Sequence, residues 1–135
     1  MDKRNPNGVF SMSQKRVNGC RKGKSGEREA AKAWSAAVGC AARRGQQHCG
    51  GAESPDVAHE VAGLHLEVKR TARSYSVQRA LEQARSDAKA GAVPVALTRQ
   101  DRGEWIASVS LADLMALVDI LAARKWQLAD KVVRA

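Results

Sequence analysis

Apolar residues recur along this chain in two rhythms. Ala31, Trp34 and Val38 fall at helical spacing behind a possible N-cap at Ser25 and before a stop at Gly39, which predicts a helix over 25–38. Ala41–Arg44 reads as a short, weak strand. Leu64, Leu66 and Val68 then alternate with His65, Glu67 and Lys69, the period-two signature of a strand with one apolar and one polar face. Val77, Ala80, Leu81, Ala84 and Ala88 return to helical spacing over 76–90, closed by Gly91. Val93–Thr98 reads as a buried strand with Pro94 near its start. Asp101-Arg102-Gly103 turns the chain into another strand, Glu104–Val109. A last helix starting near Ser110 would set Leu111, Leu114, Met115, Val118 and Leu121 toward the core, with 123–135 as its extension or a tail. The predicted order is α-β-β-β-α-β-β-α without internal repeats, a mixed β-sheet flanked by α-helices.

The candidate chemistry sits on this pattern. Ser54-Pro55-Asp56-Val57 precedes the alternating strand, with Val61-Ala62-Gly63 between them as a hairpin turn. Glu67 and Lys69, two positions apart, share a face and lie roughly 7 Å apart at the backbone. An acid on one strand, with an acid and a lysine on the next, is what a hard cation and a phosphate need. Mg2+ prefers oxygen ligands and keeps several waters, so one or two carboxylates suffice. Asp56 and Glu67 would supply them, with the main-chain carbonyl of Val68 as a third ligand. Such an ion offsets phosphate charge and lowers the pKa of a coordinated water, which Lys69 would orient. Glu27 falls on the apolar line of the first helix, one turn before Ala31. Each residue also has a plainer explanation. Asp56 after Ser-Pro suits a turn, Glu67 and Lys69 suit a solvated ladder, and Glu27 suits the helix dipole.

Charge changes the picture further. The chain carries a formal +9, and residues 1–50 hold eleven Lys/Arg against three Asp/Glu. A basic half of this kind points to a polyanion, nucleic acid before anionic membrane, with a solubilising tail as the bland alternative. Residues 1–24 read as a flexible basic arm and 25–122 as one folded domain. Cys20, Cys40 and Cys49 lack C-x-x-C spacing, and His48-Cys49 is too little for structural zinc. Unpaired thiols without a signal peptide or a membrane-length apolar run predict a cytoplasmic protein.

Taken together, Gly-x-x-Gly-Glu-Arg-Glu opening a helix (Gly23–Glu29), Ser54-Pro55-Asp56 and Glu67-Val68-Lys69 resemble Holliday-junction resolvase-like nucleases of the PD-(D/E)-x-K superfamily. The nearest likeness is to resolvases encoded by bacteriophages and prophages. The resemblance continues through Ala42–Gln47, the Glu82-Gln83-Ala84 helix and the strands at Pro94-Val95 and Glu104-Trp105, covering about residues 22–115. It implies a restriction-endonuclease-like core, Mg2+ (or Mn2+) held by Asp56 and Glu67, and Lys69 as catalytic lysine. Glu27 would complete the acidic cluster through a metal-bound water. Lys22, Lys24, Arg28, Arg43 and Arg44 would approach the DNA backbone, and Gln83 would line the site. No organic cofactor is implied. Paired incision of a four-way junction in a bacterial or phage-infected cell further implies a homodimer.

Two other readings stay open. The same residues would serve a nicking or repair nuclease on duplex or flapped DNA. A non-catalytic architectural protein would use the basic arm alone, with steep salt dependence and no cleavage. An RNA-binding module is disfavoured by a single Phe and a single Tyr, too few for a stacking platform.

Overall fold

The structure, a computed structural model, describes residues 19–45, 55–73 and 76–133. Most of the basic arm (1–18), the 46–54 segment with Ser54 and Cys49, and Ser74-Tyr75 lie outside the described residues. The elements are α1 (Gly19–Val38), β1 (Ala42–Arg44), β2 (Val57–His59), β3 (Leu64–Thr71), α2 (Val77–Asp87), β4 (Val93–Gln100), β5 (Ile106–Ser108) and α3 (Leu114–Val133), with a single 3₁₀ turn at Leu111–Asp113 before α3. The class is mixed α/β. No helix among the described residues is long and apolar enough to cross a membrane.

Among the described residues the strands form two sheets where the pattern predicted one. β3 pairs in parallel with β4, and β4 antiparallel with β5; β1 and β2 form a separate antiparallel pair. The expected hairpin joining the Asp56 and Glu67 strands is therefore replaced. β2 lies beside β3 without a backbone ladder and pairs instead with β1, Arg44 opposite Val57. His59 fixes the connection: its Nδ1 accepts from the Val61 N–H at 3.1 Å, which leaves Nε2–H to donate to the Leu64 carbonyl at 3.2 Å. Gly63 completes the turn at φ +87°. A side chain there would be strained, and its Cβ would stand 3.3 Å from Ile120 of α3.

The alternation in β3 does not divide it into a dry and a wet face. Every residue from Leu64 to Val68 is buried, His65 and Glu67 included. A parallel pair covered by helices on both sides buries both faces. On one side Leu64, Leu66 and Val68 join Val93, Val95 and Leu97 with Ala30, Ala31 and Trp34 of α1. Burying a Leu66-sized side chain is worth about 1.5–3 kcal/mol. On the other side α2 packs on β3 and β4 with Ala80 and Ala84 fully buried. Val77, expected on the buried face, is exposed. Ser76 caps α2 by accepting from the Arg79 N–H, and the helix ends at Asp87 rather than near 90.

One further helix boundary and one helix face differ from expectation. α1 begins at Gly19, six residues before Ser25, so Lys22 and Lys24 belong to a helix and not to the arm. Residues 19–24 have no proline to stop the helix, and Gly23 costs it only about 1 kcal/mol. α3 runs unbroken past residue 122 to Val133, the helical one of the two courses the pattern left open. Its core-facing line is Leu117, Ile120 and Leu121, whereas Leu111, Leu114, Met115 and Val118 are exposed. Both lines have helical spacing, so periodicity alone could not choose between them. Arg124, which bonds Glu60 at 2.9 Å, helps anchor the observed face.

Candidate active site

The site lies at the open edge of β3, where β2 and α1 meet it. Asp56 immediately precedes β2, and its Oδ2 accepts the main-chain N–H of Val68 at 2.8 Å. That bond takes the place of a ladder bond between β2 and β3. In an extended strand the N–H and C=O of one residue point to the same edge, so the Val68 carbonyl also faces the Asp56 side. Glu67, one residue earlier, is 5% exposed and stands opposite the small Ala96 of β4. Lys69 Nζ lies 2.6 Å from Glu67 Oε1. Glu27 reaches the cluster from the sheet-facing line of α1 that continues through Ala31 and Trp34. Its Oε2 accepts from Arg44 Nε at 2.5 Å. Glu27, Asp56, Glu67 and Lys69 are thus brought into one electrostatic neighbourhood.

The acids feel one another. Burial pushes Asp56 up to about 6; the Val68 N–H opposes the rise, Glu67 and Glu27 add to it, and Lys69 offsets part of it. Burial also raises Glu67, against the hydrogen bond and charge of Lys69, with Asp87 and Glu27 adding to the rise. Carboxylates held together against their own charge form a donor set that suits a hard cation. The oxygens available to one are those of Asp56, Glu67 and the Val68 carbonyl, with Glu27 behind. Among the described residues no three His, Cys, Asp or Glu side chains already form a cation cage. Glu27 and Glu67 are instead each turned toward a base.

The remaining predicted residues are spread more widely. Lys22 lies in the first turn of α1; Lys24 and Arg28 are exposed farther along that helix. Arg43 is exposed on β1, while its neighbour Arg44 turns in to Glu27. Gln83 is exposed on α2 and donates to Asp87 at 2.6 Å.

Three contributors escaped the sequence reading. Asp87, at the end of α2, acts on both Glu67 and His65. His65 lies on the Glu67 side of β3, 5% exposed, with Nε2 unpartnered, and burial lowers its pKa. Gly45 donates its N–H to the Asp56 carbonyl at 2.8 Å and lies so close to Pro55 that a Cβ would fall 1.9 Å from the Pro55 oxygen. The only sequence signal for Gly45 was the end of a strand, because the segment it touches is ten residues away.

No family model, curated protein or solved structure matches this chain.

Proposed function

We propose that this chain is a divalent-metal-dependent DNA endonuclease that hydrolyses phosphodiester bonds, with branched DNA such as a Holliday junction as its substrate. The observation that carries the reading is the tie between Asp56 and Val68. It sets one acid beside the strand that bears a second acid and a lysine, with Glu27 completing the cluster. The restriction-endonuclease-like core implied by the sequence resemblance is part of the same proposal.

When bound, Mg2+ or Mn2+ would offset the charge of the phosphate and make water a better nucleophile. The protein's part is positioning. Asp56 and Glu67 hold fixed oxygens toward the phosphate side, stiffened by the buried strand beneath. Lys69, level with Thr98 on β4, is placed to orient a water and to meet developing negative charge. Lys24, Arg28 and Arg43 are exposed and would serve as phosphate contacts.

A two-fold assembly belongs to the proposal because a four-way junction needs two symmetric incisions. Its support is the apolar outer surface of α3 and the preceding turn, where Leu111 (86% exposed), Met115 (66%) and Trp126 (73%) stand out. The proposed setting is the cytoplasm of a bacterial or phage-infected cell.

The test is cleavage of a labelled four-way junction and of a linear duplex of matching sequence, each with Mg2+ and with EDTA. Paired symmetric cuts confined to the junction support the full reading. Equal cutting of both substrates retains the nuclease and removes the junction preference. Metal-independent binding without cuts favours the architectural protein.

A further inference from the structure

The two outer acids of the cluster differ in the base that holds them. Glu67 is paired with Lys69 of its own strand, the residue proposed to act on water. Glu27 is paired with Arg44, which comes from β1 in the other sheet. The Arg44 contact is short and half-shielded, with the arginine side chain 28% and the glutamate side chain 17% exposed. Charge-assisted bonds of this length are among the stronger polar contacts in proteins. β1 is held in register, Arg44 opposite Val57, so the strand that delivers the guanidinium is paired with the residue next to Asp56. Arg43 alternates to the other side and is exposed. One guanidinium is thereby aimed into the acids while its neighbour is aimed out.

We infer that Arg44 is a built-in competitor for the metal site: it occupies Glu27 as a counter-cation and so weakens the hold of a divalent ion on the acids. This inference rests on the metal-site reading of Glu27, Asp56 and Glu67. Two cations drawn to one carboxylate repel each other, so each weakens the other's hold by the same factor. A guanidinium dislodged from Glu27 finds its next partner in a phosphate oxygen, which links metal loading to DNA binding through a single side chain.

The experiment is calorimetric titration of the full chain with Mn2+ alone, without DNA, for the wild type, Arg44→Gln and Arg43→Gln. Thermal unfolding of each variant confirms that it is folded. Arg43→Gln removes the same charge from the same strand and so accounts for the general electrostatic effect. Arg44→Gln is expected to bind Mn2+ roughly ten-fold tighter than the wild type, and Arg43→Gln within about two-fold of it. In a Glu27→Gln background the Arg44→Gln gain is expected to vanish, because the carboxylate they compete for is gone. An Arg44→Gln protein that binds Mn2+ no tighter than Arg43→Gln overturns the competition while leaving the metal site intact. Absence of Mn2+ binding in the wild type and every variant overturns the metal-site reading, and the inference with it.

Discussion

The main-chain N–H of Val68 donates to the carboxylate of Asp56 at 2.8 Å, so the first acid of the cluster is positioned by the strand that carries the second. Nothing in a ladder of two paired strands would do this. β2 is only three residues long and pairs with β1, which leaves the outer edge of β3 open at Val68. Asp56 fills that edge with a side chain rather than a backbone group. One of its oxygens is fixed, and the carboxylate stays beside Glu67.

Burial and the neighbouring acids, which outweigh the Val68 N–H, stabilise the proton on Asp56, and this has a consequence for pH. An acid whose pKa is higher in the folded than in the unfolded chain holds more protons when folded. The metal-free protein therefore loses stability as pH rises from the ordinary carboxylate range through about 6. Asp56→Asn keeps an acceptor for the Val68 N–H but removes the charge. It is expected to raise the melting temperature at neutral pH by roughly 2–6 °C and to flatten the change between pH 4 and 6. Melting curves of both proteins across that range, without metal, check this; a destabilised Asn variant at neutral pH would contradict it.

Gly45 makes a second prediction about position rather than charge. A methyl group there would overlap the Pro55 carbonyl, and that backbone leads directly into Asp56. Gly45→Ala is expected to lower the melting temperature by several degrees and to reduce cleavage at least ten-fold. Gly91→Ala is the control for substitution at a glycine, since space is open around that residue, although its φ of +82° adds some strain. Equal cleavage by the Gly45→Ala and wild-type proteins would remove Gly45 from the positioning of Asp56.

Lys69 offers a separation of roles. Removing it leaves the buried Glu67 without its 2.6 Å partner, and Lys69→Ala should cost about 1–2 kcal/mol in the metal-free state. Divalent ions should restore most of that stability, because they replace the missing positive charge. The cleavage rate should still fall by about 10²-fold or more. A rate within a factor of two of the wild type would exclude Lys69 from the chemistry.

How much of this could be read from the sequence depends on the distance over which each feature is decided. The β3 strand was visible because Leu64, Leu66 and Val68 alternate with His65, Glu67 and Lys69 within six residues. Glu27 was visible for the same reason, one helical turn before Ala31. The pairing of β2 was not, because a three-residue strand carries almost no register information and its course is settled by His59 and Asp56 bonding to other segments. The burial of Glu67 was hidden as well: alternation predicts one wet face, but α2 covers it. For α3, two apolar lines compete on one helix, and packing of Leu117, Ile120 and Leu121 on the core, with Arg124 bonded to Glu60, decides which faces inward. The bond of Gln83 to Asp87, one turn along the same helix, was equally invisible, because side-chain direction on an exposed helix face carries no period.

The outward line of α3 is itself a prediction. Met115, Val118, Ala122 and Trp126 fall at spacings of three and four along one side, a pattern that packs against a second helix. Two copies in antiparallel contact would bring Met115 near the partner's Trp126, a favourable sulfur–aromatic pair. Sedimentation of the wild type is expected to show a dimer and Val118→Asp a monomer of unchanged fold. A wild type that stays monomeric at high micromolar concentration would contradict the two-fold assembly.

The most direct measurement is cleavage and binding of the same labelled DNA by the wild type, Asp56→Asn and Glu67→Gln, with Mg2+ and with EDTA. The account predicts Mg2+-dependent cuts by the wild type alone, with all three proteins binding the DNA within a few-fold of one another. Cleavage by either variant at the wild-type rate, or cleavage that survives EDTA, would contradict the assignment of these carboxylates as the heart of a metal-dependent nuclease.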